Sequence, residues 1–162
     1  MGSEMCIRDS SQIEQSNPIW QVNNTITVSV QTNCDFAAGS TLTVSGLTGS
    51  ATGDTSSLAV SGGVLESTGT WEQSVGKLTV ASTGLNASTT YVFTVFLENG
   101  VTEQGSPAVS IAATIEAGTI DANVSSVAMS KVSSTLLGVL NGSQPLKIIE
   151  PQFTISQIEQ SN

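Results

Sequence analysis

The chain has 162 residues, 4 Lys+Arg against 13 Asp+Glu, no histidine and a formal net charge of −9. So acidic a chain cannot neutralise a phosphate backbone. No apolar run approaches the 18 or so residues of a membrane-spanning helix, and 38 % hydrophobic residues are too many for a disordered polypeptide.

In chain order, the first feature is a segment that does not match the rest. Met5-Cys6-Ile7-Arg8-Asp9-Ser10 resembles a translated sequencing-adapter read, so residues 1–10 are expected to be a non-native leader and are set aside. Next comes Ser11-Gln12-Ile13-Glu14-Gln15-Ser16-Asn17, which recurs at the other end as Ser156-Gln157-Ile158-Glu159-Gln160-Ser161-Asn162, an offset of 145 residues. A period of that length points to an array of whole domains rather than a solenoid of short repeats. Residues 11–155 are therefore expected to form one unit, with 156–162 beginning the next.

Beyond the first copy, alternation of apolar and hydroxyl residues dominates. Thr25 to Val30, Thr41 to Ser45, Leu58 to Val60, Leu78 to Val80 and Val109 to Ala112 each place apolar side chains on one face, the period of a half-buried strand. Thr70 to Gln73 and Lys77 to Thr79 flank Ser74-Val75-Gly76 and predict a hairpin. Tyr91 to Leu97 is apolar on both faces and predicts a central strand. Asn123 to Met129, Leu136 to Leu140, Leu146 to Ile149 and Phe153 to Ile155 complete the set. Gly- and Asn-containing turns separate them, such as Gly62-Gly63, Asn99-Gly100 and Asn141-Gly142-Ser143. The expectation is an all-β chain, an antiparallel Greek-key sandwich of about nine strands. Trp71 and Tyr91 read as core anchors.

Chemistry is hard to place on this chain. Without histidine the commonest general base is missing, no cysteine pair has zinc spacing, and no acidic run resembles a calcium loop. Glu66, Glu72, Glu98 and Glu103 could meet in space, but scattered acids on a sandwich read as a solvated face. The chain is read as a non-enzyme without a cofactor. With Cys6 set aside, Cys34 is left to intermolecular pairing, to a free thiol, or, beside Phe36, to the role of a small buried hydrophobe.

Four Asn-x-Ser/Thr sequons stand at Asn23, Asn86, Asn123 and Asn141, in turns or at strand starts, where a glycan can reach solvent. Trp20 follows Pro18 directly after the repeated segment and is placed to plug a joint between units. Phe153-Thr154-Ile155 leads into the second copy. Ile13, Trp20, Phe153, Ile155 and Ile158 are the candidate inter-unit contacts.

Thr25-Ile26-Thr27-Val28, then Ala37 to Gly49, Thr89-Thr90-Tyr91-Val92-Phe93 and Ser106 to Ile111 occur in an order that resembles the tandem repeats of very long cell-surface proteins from algae and related protists. More loosely they resemble bacterial Ig-like surface arrays. The resemblance covers about residues 11–162 and implies an extracellular, glycosylated surface or fibre protein whose partners are copies of itself. It brings no catalytic residues. The expected function is a structural repeat unit of a filament or surface stalk, joined head-to-tail through the repeated segment. The alternatives are an adhesin module that binds a glycan, a surface or ice through regular Thr rows, and an accessory domain beside an enzyme.

Overall fold

The computed structural model describes residues 10–116 and 122–162. It is all-β, a ten-stranded mixed sheet nearly closed into a barrel. The strands are β1 (Gln12–Gln15), β2 (Asn23–Gln31), β3 (Thr41–Ser45), β4 (Thr55–Ser61), β5 (Thr68–Glu72), β6 (Lys77–Ala81), β7 (Thr90–Glu98), β8 (Ser110–Ile115), β9 (Ala122–Ala128) and β10 (Ser130–Lys131), in the spatial order β10-β1-β2-β7-β4-β5-β6-β3-β8-β9. Among the described residues the one helical element is a single 3-10 turn, Gln73–Val75.

Near-closure has a local cause. The strands at the two ends of the order, β9 and β10, are separated along the chain by Met129 alone. The polypeptide leaves β8 at Ala128, buries Met129 and pairs Ser130 with Gln12 across the gap. A chain that switches partners in this way turns the corner of a sheet and protects an edge that would otherwise be open. The β1–β10 pair is parallel and the other pairs are antiparallel. The sheet is therefore mixed, where a purely antiparallel one was expected, and has ten strands instead of about nine.

The alternating segments read from the sequence become strands with their apolar faces inward. Ile26, Val28 and Val30 of β2 are buried, as are Leu42 and Val44 of β3, Leu78 and Val80 of β6, and Phe93, Val95 and Leu97 of β7. The hairpin forms where expected. Gly76, at φ 59, ends its turn with its α-carbon against the Leu47 carbonyl, where a side chain would collide. Trp71 is buried and its indole Nε1 donates to the Thr52 carbonyl at 2.9 Å. Tyr91 is half-buried, and its hydroxyl accepts from the Asn86 amide at 2.9 Å.

Three expectations need correction. β7 is internal to the sheet, but its outer face is open to solvent: Val92 and Phe96 are exposed. Leu136 to Leu140 and Leu146 to Ile149 form turns and isolated bridges instead of strands, although Leu146 and Ile148 are still buried. Cys34 is disulfide-bonded and packs half-buried against the core, so it is not a thiol acting as a small hydrophobe. Residues 1–9 of the expected leader lie outside the described residues.

Candidate functional site

The two copies of the repeated segment have different surroundings. In the first, Ser11, Ile13 and Gln15 point inward and are buried, while Gln12 is exposed and Glu14 half-buried. This is the period of two that a strand with one buried face requires. β1 lies between β2, antiparallel with Gln12 opposite Ser29 and Gln15 opposite Ile26, and β10, parallel. Ile13 is fully buried in the core; burying such a side chain contributes about 1.5–3 kcal/mol.

Gln15 is the polar centre of this slot. Its Nε2 donates to the carbonyls of Gly142 and Lys147, both at 2.8 Å, and its Oε1 accepts from Asn24 Nδ2 and the Leu146 amide, both at 2.7 Å. All four hydrogen-bonding positions of the amide are thereby filled. Asn24 donates also to Asn99 Oδ1 at 2.9 Å, and its own Oδ1 accepts from the Ser16 and Asn17 amides. Asn99 Nδ2 then donates to the carbonyls of Asn17 and Ile19. The backbone adds a bond from the Gln15 amide to the Ser143 carbonyl at 2.9 Å. Three buried amide side chains therefore clamp the end of β1 and the turn after it onto residues 141–147. A satisfied buried network of this kind fixes one register, because a slipped strand would leave several buried groups unpaired.

The fold has two distinguishable ends. Ser11 enters beside the end of β2 that carries Gln31, where Ser10 Oγ approaches Gln31 Oε1 at 3.4 Å. The chain leaves at the opposite end, where Ile149 bridges Ile19, its amide donates to the Pro18 carbonyl at 2.8 Å, and its carbonyl accepts from the Trp20 amide at 3.1 Å. Six Cα steps from Ser11 to Asn17, at about 3.3 Å each, place these ends about 20 Å apart. An open hollow of about 500 Å³ lies at the exit, lined by Ile19, Leu137, Val139, Ile149, Pro151 and Thr154 among others.

The second copy has no such setting. Residues 151–162 are without secondary structure and exposed, with Phe153 at 97 %, Ile155 at 79 % and Ile158 at 101 % relative exposure. Of the five candidate contact residues, only Ile13 is in the core. Trp20 is half-buried at the exit end, and the other three extend into solvent.

Among the sequons, Asn23, Asn86 and Asn123 are exposed, and Asn141 is half-buried at a positive φ of 56. The four glutamates lie on separate elements: Glu66 on the loop before β5, Glu72 at the end of β5, Glu98 at the end of β7 and Glu103 beside the exit hollow. Glu72 pairs with Lys77 at 2.6 Å. Among the described residues no three His, Cys, Asp or Glu side chains cluster, and no helix is long and apolar enough to cross a membrane.

The buried amides escaped sequence reasoning, but a signal for one of them exists. Asn24 is in phase with Ile26, Val28 and Val30, a polar residue on the apolar face of its own strand. Gln15 carried no mark except its membership of the repeated segment, and Asn99 read only as half of an Asn-Gly turn.

No protein-family model matches the chain, and no curated protein does. One similar solved structure, "AvmM Catalyzes Macrocyclization in Alchivemycin A Biosynthesis", is 8% identical over 80% of this chain and 93% of that chain, with a TM-score of 0.35. A likeness at that level carries no argument about fold or chemistry.

Proposed function

We propose that residues 11–155 are one structural unit of an extracellular, glycosylated filament or surface stalk, built as a Greek-key sandwich, and that units join head-to-tail through the repeated segment. One observation carries this reading. The seven residues that contain β1 and run from the entry end of the unit to its exit end are present again just past that exit. A head-to-tail contact between identical units generates an open fibre wherever its rotation does not close a ring. The sandwich description is supported by the strand order, which divides at β4 into a group around β2 and β7 and a group around β3, β6 and β8. Exposed sequons at Asn23, Asn86 and Asn123 favour glycan cover.

The test is a chain of several consecutive units with one copy of the segment at each joint. Electron microscopy should show a rod of constant axial spacing; separate beads on a flexible tether would overturn the proposal. Peptide mass mapping of native material should find sugar on at least two of the four sequons, with Asn86 among them and Asn141 the least occupied. Unmodified peptides at all four would remove the glycosylated, extracellular part of the reading.

A binding module is the second reading, and one observation favours it. Thr70, Thr79 and Thr43 stand side by side across β5, β6 and β3, a hydroxyl row at a strand spacing of about 4.8 Å. Replacing all three by valine would abolish adsorption to the target surface if this row is the site, and would leave a filament unchanged.

A further inference from the structure

We infer that the place of β1 is an exchangeable strand site, and that its second occupant is residues 156–162 of another copy of this chain. The inference deepens the head-to-tail reading and rests on it: it names the partner segment and the residues that recognise it.

The slot is defined by what it demands. It takes a small residue at Ser11, an apolar one at Ile13 and an amide at Gln15, all inward, with polar residues between them. Ser156, Ile158 and Gln160 supply the same side chains in the same order, with Gln157 and Glu159 outward. Gln160 carries the two donors and two acceptor sites that Gln15 uses, so it can meet Gly142, Lys147, Asn24 and Leu146 without leaving any of them unpaired. Ser161 and Asn162 repeat Ser16 and Asn17, whose amides bond Asn24 Oδ1. Addition of an extended segment to a sheet edge, with pockets for alternate side chains, is a general mode of recognition. Here the backbone partners are β2 on one side and β10 on the other.

The reach of the chain selects a second copy as donor. From Ile149 to Ser156 there are seven Cα steps, which span at most about 25 Å. To enter its own slot in the direction of β1, the segment would first have to run about 20 Å back along the unit and then reverse in a tight turn. That leaves about one residue of slack. Donation to a neighbour stacked on the exit end needs no reversal. In the single chain the segment is exposed because its own slot is already filled by an identical sequence.

The decisive experiment is refolding of the full chain from denaturant. The native β1 is tethered to its slot and so competes at an effective concentration of about millimolar. Refolding at about millimolar chain should therefore yield a substantial exchanged dimer and oligomer fraction, and refolding at a thousandfold dilution should yield monomer. Ile158→Asp, at a position fully exposed in the monomer, should fold normally and lower the exchanged fraction at least tenfold, because the donated strand would bury an unpaired carboxylate. Equal oligomer yields for the two chains overturn the inference.

A second comparison amplifies the effect. Ile13→Asp should expel β1 and drive concentration-dependent association that the double variant Ile13→Asp/Ile158→Asp lacks. If Ile13→Asp does not fold, refolding of the unsubstituted and Ile158→Asp chains decides. The failures of the two proposals are distinguishable: rods of linked units without exchange between separate chains would remove this inference alone, and exchange without rods would remove the filament.

Discussion

Residues 11–17 and 156–162 are the same peptide in two conditions, one a buried strand and the other exposed coil. Intrinsic preference is identical in the two, so it cannot be the cause of the difference. The difference lies in what each copy meets. The first copy finds two strand partners, an apolar cavity for Ile13 and four hydrogen-bonding groups for Gln15. The second, beyond the exit, meets none of these. β-propensity is largely a measure of fit to a half-buried pleated surface, and this pair separates the fit from the sequence.

The sharpest way to break the comparison is to make one substitution in each copy. Ile13→Asp places a charge in the core with no partner and should destabilise the unit by about 4 kcal/mol or more. Ile158→Asp at dilute concentration should change stability by less than about 0.5 kcal/mol, the usual effect of an open surface position. Urea denaturation of both variants measures this directly. Equal losses would mean that the second copy is held somewhere on its own unit.

A smaller asymmetry tests the amide network. Gln15→Leu keeps the volume but leaves the Gly142 and Lys147 carbonyls, the Leu146 amide and one hydrogen of Asn24 without their partner. At about 1–3 kcal/mol for each buried group left unsatisfied, partly recovered by relaxation, the loss should be about 3 kcal/mol. Gln160→Leu should change nothing measurable in the monomer. A loss below about 1 kcal/mol for Gln15→Leu would show that water replaces the amide and that the network does not set the register.

Most of the fold is legible in the sequence because it is written as alternation. The segments from Thr25, Thr41, Leu58, Thr70, Lys77, Tyr91, Val109 and Asn123 all became strands, and Gly76 closes the hairpin as its conformational freedom predicts. What escaped was decided by contacts distant in sequence. Leu136 to Leu140 have apolar content but close on themselves in turns, and Leu146 and Lys147 belong to the wall against which Gln15 docks, their backbone bonds going to its side chain. The parallel β1–β10 pair joins Gln12 to Ser130, far apart along the chain, and leaves no local pattern. The site was legible as a repeat, not as a mechanism. Identity of the two segments was evident, but which residues recognise the strand depends on Asn24 and Asn99, which only the folded sheet brings together.

The smallest predicted effect comes from the other wall of the slot. Lys131 lies opposite Ile13 on β10, and its Nζ donates to the Ser106 carbonyl at 3.1 Å. Burial holds its pKa below the ordinary 10.5, because the ammonium loses water without gaining a carboxylate. Below the folded-state pKa both states are protonated, and the full cost of that burial is present. As pH rises through that value towards 10.5, the folded state releases its proton before the unfolded state does, so the unfolded chain binds more protons and stability increases with pH. Lys131→Met should flatten this alkaline slope. Thermal melts across the alkaline window below 10.5 compare it with the unsubstituted chain. An unchanged slope in Lys131→Met would mean that the ammonium keeps its water, and that the β10 side of the slot is wetter than the side where Gln15 is clamped.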